Sequence, residues 1–116
     1  MYLDLAKELK KNTDVMEMTF KKFNLQLIQF SYHPYSDNDA DCDFLVELMS
    51  EDGDAIVDSV YLKINLYDEN GDLFLNEYEF INHEDFSGYD TFKINLYDNG
   101  RTLLEAKSAR IYMSKA

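Results

Sequence analysis

Lys63–Asp68 reads Lys-Ile-Asn-Leu-Tyr-Asp, and the same hexapeptide returns at Lys93–Asp98. Each copy runs into an Asn-Gly turn, which ends at Gly71 after the first copy and contains Gly100 after the second. Apolar and polar side chains alternate in both copies, as is typical of a half-buried strand that enters a hairpin. The repeat therefore indicates one structural unit used twice, and it points to architecture rather than to chemistry.

Strand patterns extend outward from the repeat, over residues 23–32, 43–50, 55–68 and 73–81 and the second copy. A phase shift after Leu27 indicates a bulge in the first strand, Pro34 is expected to end it, and Ser36–Asp41 is expected to form a polar loop. Residues 73–81 set Phe74, Tyr78 and Phe80 on one face and Leu75, Glu77 and Glu79 on the other. The predicted inward-facing residues of the other strands are Phe44, Val46, Leu48, Val60, Leu62, Ile64, Leu66, Phe92, Ile94 and Leu96.

The two ends of the chain have different patterns. Residues 2–11 predict a helix with Tyr2, Leu5, Ala6 and Leu9 on one face, which must dock on its own sheet, on a partner or on an upstream segment. Residues 102–113 have some helix propensity, but their place after the Asn-Gly hairpin turn favours a return strand.

The spacing of about six or seven strands, with short turns between them, predicts an antiparallel immunoglobulin-like β-sandwich that is mainly β. One short N-terminal helix precedes it. The predicted organisation is a helix and linker over residues 1–14, followed by a single sandwich domain over residues 15–116.

Val60–Gly71 resembles the segment that names the FxLYD family of bacterial immunoglobulin-like domains, a strand ending Phe-x-Leu-Tyr-Asp before a turn with Gly. Gly88–Phe92 is similar to the segment that opens the family's following strand. Ile64 stands where the family has Phe, and the family has no second motif like Leu96–Asp98. The resemblance covers residues from about 60 to 97. It implies the sandwich fold and an accessory or cell-envelope module, and it brings no catalytic residue.

The composition bounds the class of protein. A chain of 116 residues forms one domain, and its single cysteine, Cys42, excludes an internal disulfide. No apolar stretch approaches the ~20 residues of a membrane span. If Met1 is the true start, the absence of a signal predicts a cytoplasmic protein; otherwise the cell envelope or secretion is expected.

The net charge of −12 opposes binding to nucleic acid or to anionic membranes. Between Lys22 and Lys63 the only basic residue is His33, which is usually neutral. A solvated surface with protected edges is the simplest interpretation of this acidic run. A surface for a basic partner and a metal site are the alternatives.

Residues 37–43 place carboxylates at alternate positions, a pattern that suggests a calcium site. An EF-hand loop requires Gly at its sixth position and Glu at its twelfth, and counting from Asp37 those positions hold Cys42 and Leu48. The EF-hand is therefore excluded. A site at the sandwich edge remains an alternative to a solvated loop, and its weak candidates are Asp37, Asp39 and Asp41, with Asp52, Asp54 or Asp85 contributing.

No motif positions a catalytic group or a cofactor, so the sequence predicts no enzyme. Asp41 and Asp43 flank Cys42, and their negative charge raises a thiol pKa. His33 and His83 fall in separate loops, which does not favour zinc.

Outward-facing tyrosines of the repeat indicate a recognition surface, because Tyr is rigid and amphipathic. The alternative is that the second sheet or the N-terminal helix covers them. The complete predicted interaction surface is Asp37, Asp39, Asp41, Asp43, Glu51, Asp52, Asp54, Tyr61, Tyr67 and Tyr97.

Two hypotheses of function follow. The first is a non-catalytic protein-interaction or accessory module that binds through a sheet face or an edge strand, which can also support a homodimer. The alternative is a small acidic cytosolic inhibitor, such as an immunity protein or antitoxin, of a basic partner. Neither hypothesis involves nucleic acid or a membrane span.

Overall fold

The computed structural model describes residues 2–116 and contains a four-stranded and a three-stranded sheet. This arrangement confirms the mainly β sandwich with a short N-terminal helix. Two shorter helices, α2 and α3, are not predicted by the sequence. The elements are α1 Tyr2–Lys11, β1 Thr13–Val15, α2 Glu17–Lys21, β2 Leu25–Ser36, β3 Asp39–Ser50, β4 Val60–Tyr67, β5 Leu73–Ile81, β6 Tyr89–Leu96, α3 Thr102–Glu105 and β7 Ser108–Lys115.

The larger sheet has the order β1-β7-β4-β5, and the smaller sheet has the order β2-β3-β6. Neighbouring strands are antiparallel except β1, which runs parallel to β7. Strands β1, β5, β2 and β6 end their sheets, so one side of each has no strand partner within the described residues.

The two copies of the hexapeptide lie in different sheets, the first in β4 and the second in β6. Ile64, Leu66, Ile94 and Leu96 are buried and belong to one core cluster. The repeat therefore supplies inward-facing Ile and Leu to both sheets, as the alternation predicts. Phe92 differs, because it is only partly buried.

Strand β2 corrects two expectations. It continues through Pro34, which pairs in register with Cys42, as far as Ser36. Proline is tolerated there because β2 is an edge strand and loses no ladder hydrogen bond. The predicted polar loop shrinks to Asp37 and Asn38, since β3 begins at Asp39. The predicted bulge is present as a register shift between Leu27 and Gln29.

The chain between β6 and β7 corrects a third expectation. Asn99 and Gly100 have φ of 50° and 80°, and Arg101 N donates to Asp98 O at 3.0 Å, as in a type I′ turn. The turn closes no hairpin, because β6 and β7 belong to different sheets. The predicted continuous strand is instead helix α3 followed by β7, and α3 lies within the crossing between the sheets.

Helix α1 packs mainly against β2 and buries Ala6 and Leu9 on the face that the sequence predicts. The segment after it is not a simple linker. Thr13–Val15 forms β1, which pairs with Ala109–Ile111 of β7. The helix and this short strand thus close one side of the sandwich.

Candidate interaction surface

Outward-facing side chains of β4, β5 and β7 form one continuous surface on the larger sheet. The strand register places Tyr61 beside Phe80, and it places Lys63 between Tyr78 and Tyr112. We call this surface the tyrosine face and define it by Tyr61, Lys63, Asn65, Tyr67, Tyr78, Phe80, Arg110 and Tyr112.

Three aromatic rings of the tyrosine face pack against one another, one pair edge-to-face and one pair tilted. The rings of Tyr61 and Tyr78 have centroids 5.2 Å apart and an interplanar angle of 83°, and Phe80 lies 5.7 Å from Tyr61. Contacts of this kind contribute roughly 0.5–1.5 kcal/mol beyond the burial of apolar area. Tyr78 is nevertheless 62% exposed and Phe80 49% exposed. The rings are therefore mutually packed but open to a partner.

Two cations lie over these rings. Lys63 Nζ is 5.6 Å from the Tyr61 centroid and 6.0 Å from that of Tyr112, and Arg110 Cζ is 5.7 Å from that of Tyr67. The other charged side chain that the strand register places on this face is Asp14, 3.6 Å from Arg110 Nε. In a chain of net charge −12, this surface departs from the overall acidic character.

Asn65 occupies the middle of the tyrosine face, between Asn76 on β5 and Arg110 on β7. Its Nδ2 donates to the Tyr67 hydroxyl at 3.2 Å. Its Oδ1 is buried and accepts no hydrogen bond from the described residues. The face therefore contains an unsatisfied acceptor beside its aromatic rings.

Within residues 2–116 the helices pack mainly against β2, β3 and β7, and the tyrosine face stays open, since Tyr78 and Phe80 are exposed. Tyr61 and Tyr67 are half-buried by the side chains around them on the same face. Tyr97 lies elsewhere. It follows β6 of the smaller sheet, is 61% exposed, and donates its hydroxyl proton to Asn99 Oδ1 at 3.1 Å. The structure thus places Tyr61 and Tyr67 on one face of the larger sheet and Tyr97 outside it.

The predicted acidic surface is divided between the two ends of β3. Asp37 and Asp39 lie at the β2–β3 turn, and Glu51, Asp52 and Asp54 follow the other end of this strand of 12 residues. At about 3.3 Å per residue the two groups are roughly 40 Å apart. They do not form one patch.

Asp41 has a structural role. Only 1% of it is exposed, and its carboxylate accepts hydrogen bonds from the N–H groups of Asp98 and Gly100 and from the Thr102 hydroxyl. Burial favours the neutral acid, but these hydrogen bonds prevail and hold the pKa of Asp41 below its ordinary value. Within residues 2–116 no cluster of three or more His, Cys, Asp or Glu side chains suits a metal ion.

The remaining candidates are not members of the tyrosine face. Cys42 is buried, and burial together with Asp41 and Asp43 raises the pKa of its thiol to about 12. Asp43 pairs in register with His33 and faces outward on the smaller sheet. The imidazole of His83 contacts the hydroxyl of Ser59 at 2.9 Å.

Sequence reasoning missed four members of the tyrosine face: Tyr78, Phe80, Arg110 and Tyr112. The alternation over residues 73–81 separates aromatic from acidic side chains, but it does not say which face is inward. In the structure Glu77 and Glu79 share the inward face of Ile64 and Leu62, and the aromatic side chains face outward. Only the pairing of β5 and β7 with β4 shows that these residues are neighbours.

Comparisons with known proteins bear on the fold alone. No family model matches the chain, and no curated protein matches it in sequence. The fold is similar to the crystal structure of Campylobacter jejuni cj0090, with 17% identity, a TM-score of 0.50, and coverage of 90% of this chain and 98% of that one. At this identity the likeness concerns the fold alone. Among residues 2–116, none of the helices has the length and apolar character that crossing a bilayer requires.

Proposed function

We propose that the protein is a non-catalytic protein-interaction module and that the tyrosine face is its recognition surface. The observation that carries this proposal is the packed and exposed group of Tyr61, Tyr78 and Phe80, with Lys63 over the Tyr61 ring. Arg110 lies over the ring of Tyr67 on the same face. Tyr and Arg are enriched where proteins recognise one another, because they supply contact area with few rotatable bonds and several hydrogen bonds.

The rigidity of the tyrosine face reduces the entropic cost of binding. Tyr61 contacts both Tyr78 and Phe80, and Lys63 lies between the rings of Tyr61 and Tyr112. Side chains already held in place lose less freedom than mobile ones when a partner binds, by about 0.5–1.5 kcal/mol for each rotamer-rich side chain.

The accessory-module interpretation also draws on strand connectivity. In immunoglobulin terms, β2-β3-β6 corresponds to strands A-B-E and β5-β4-β7 to strands C′-C-F. The edge position of strand G is occupied by β1, which runs parallel to β7 instead of antiparallel. This correspondence supports an immunoglobulin-like sandwich, and with it the FxLYD resemblance of Val60–Gly71.

A second candidate is an acidic inhibitor of a basic protein. In its favour, the described residues form two salt bridges, Arg101–Asp98 and Arg110–Asp14, against 23 Asp and Glu residues in the chain. Most carboxylates thus have no cation of their own. Such an inhibitor associates fast at low salt, and its affinity falls steeply between ~50 and ~500 mM salt.

Site-specific photo-crosslinking tests the proposed function. A photoreactive phenylalanine analogue replaces Tyr112 on the tyrosine face or, as the control, the exposed Tyr97 on the other sheet. We expect a discrete protein adduct from position 112 alone, lost when Tyr61 and Tyr67 are both replaced by Ser. Equal adducts from both positions, or an adduct that survives the double replacement, would contradict the proposal.

A further inference from the structure

The outer edge of β5 is the basis of this inference, which rests on the proposed function. Within residues 2–116, strand β5 pairs with β4 alone. On β4, the carbonyls of Ser59 and Tyr67 accept hydrogen bonds from the N–H groups of Ala116 and Lys107 on the β7 side. Because backbone groups alternate sides along a strand, odd-numbered residues of β4 face β7 and even-numbered residues face β5.

This alternation fixes the backbone groups at the free edge. Leu62 and Ile64 of β4 pair with Glu79 and Glu77 of β5, so the backbone groups of these two glutamates point toward β4. The N–H and C=O groups of the intervening Tyr78 therefore point away from the sheet. Those of Asn76 and Phe80 do so as well.

The side chains along this edge differ between the two faces of the sheet. Tyr78 and Phe80 face outward and continue the tyrosine face. Glu77 and Glu79 share the inward face with the fully buried Ile64 and Leu62, and both glutamates are half-buried. Within residues 2–116 neither carboxylate forms a salt bridge.

We propose that β5 accepts an added strand from the partner protein, an extended segment in which Lys or Arg alternates with apolar or aromatic residues. The added strand pairs with the free N–H and C=O groups of Asn76, Tyr78 and Phe80. Its basic side chains meet Glu77 and Glu79 on the inward row. Its apolar side chains extend the outward row of Tyr78 and Phe80, since cross-strand neighbours on one face interact in this way.

Charge argues against a second copy of this chain as the occupant. If two copies pair antiparallel about Tyr78, Glu77 of each lies directly opposite Glu79 of the other. Like charges in directly opposite positions destabilise a strand pair. Inward-pointing charges are also one way in which edge strands avoid self-association. The two glutamates therefore select a basic strand and disfavour pairing between identical copies.

Peptide binding by the full chain tests this proposal. The probe is a fluorescent peptide, Lys-Val-Lys-Tyr-Lys-Val-Lys-Val, and binding is followed by anisotropy. One control peptide has Glu in place of every Lys, and another keeps the charge but carries N-methyl groups on alternate backbone nitrogens. We expect binding of the first peptide alone, with slower hydrogen exchange at the N–H groups of Asn76, Tyr78 and Phe80.

Matched variants separate edge pairing from general attraction between opposite charges. Replacing Glu77 and Glu79 together by Gln is expected to weaken binding roughly tenfold. The same change at the exposed Glu8 and Glu105, on other elements, is expected to weaken it by less than about twofold. Asn76→Pro removes an edge N–H without removing a bond to β4, and it is expected to abolish binding.

Three outcomes would overturn the inference: equal binding of the N-methylated peptide, equal effects of the two Gln pairs, or a dimer at micromolar concentration in sedimentation equilibrium. Repeating the crosslinking from position 112 in the Glu77/Glu79 variant distinguishes this failure from that of the proposed function. If the adduct persists while peptide binding fails, the tyrosine face remains the recognition surface, and strand addition at β5 is excluded.

Discussion

Asp41 on β3 and Thr102 at the start of α3 join the smaller sheet to the crossing that leads into the larger one. The Thr102 hydroxyl donates to Asp41 Oδ1 at 2.7 Å, and Gly100 N donates to Oδ2 at 2.7 Å. Asp98 N donates to Oδ1 at 2.9 Å. One carboxylate thereby satisfies several backbone groups of a tight turn, and it fixes where the chain leaves β6.

Replacing Asp41 by Ala is expected to lower the free energy of unfolding by about 2–3 kcal/mol, because it leaves buried donors without an acceptor. Urea unfolding measures this change. Asp37→Ala is the matched control, since Asp37 is exposed and its expected cost is below about 0.5 kcal/mol. Equal costs at the two positions would mean that the turn does not depend on Asp41.

The contribution of Asp41 is expected to depend on pH. Its pKa in the folded protein is lower than the value of about 3.9 in an unfolded chain, so its charged form stabilises the fold. That stability is fully present above about pH 4 and is lost as the pH falls through the folded pKa. The difference in unfolding free energy between wild type and Asp41→Asn, measured from about pH 7 to 3, should therefore shrink at the acidic end. A constant difference would contradict the assignment.

Gly88→Ala is expected to destabilise the protein by about 2 kcal/mol or more. Gly88 has φ of +111°, and an added Cβ would lie 2.5 Å from the carbonyl oxygen of Gly53. Gly71 provides the comparison, because it also has positive φ, +80°, but its Cβ would meet open space. Gly71→Ala is expected to cost only about 1 kcal/mol. Thermal unfolding of the two variants measures the two costs in stability. Equal costs would mean that the close approach of residue 88 to Gly53 does not contribute.

Cys42 is expected to resist thiol reagents in the folded protein. It is fully buried, and the pKa of its thiol is raised to about 12, so at pH 8 almost none of it is thiolate. In buffer, a disulfide reagent should modify Cys42 no faster than the protein unfolds. In denaturant, where the chain is unfolded, modification should be immediate. Rapid modification of the folded chain would show that β3 opens locally.

Local patterns predicted the parts of the fold that depend on neighbouring residues along the chain. The alternation in β3 and β4 identified their inward-facing residues, because a two-residue period leaves one choice of buried face. The continuation of β2 through Pro34 was not predictable. Proline is acceptable only on an edge, and which strand is the edge depends on pairings distant in the sequence.

The candidate surface was predicted in part. Tyr61 and Tyr67 were identified from their polar faces, whereas Tyr112 and Phe80 join them only through the register of β7 and β5. Asp41 was expected to be a weak metal ligand in a loop. Its actual role requires the turn at Gly100, which lies far away along the chain.

The sequence by itself determined the two strands of the repeated hexapeptide, their buried faces and the positive-φ turn at Asn99 and Gly100, because these depend on side-chain alternation and local backbone preference. The tertiary structure decided that the two copies lie in different sheets. It also decided that the turn leads into α3 rather than a hairpin, and that tyrosines from three strands share one face. Those outcomes depend on which distant strands pair, and pairing is selected by burial of the whole core at once.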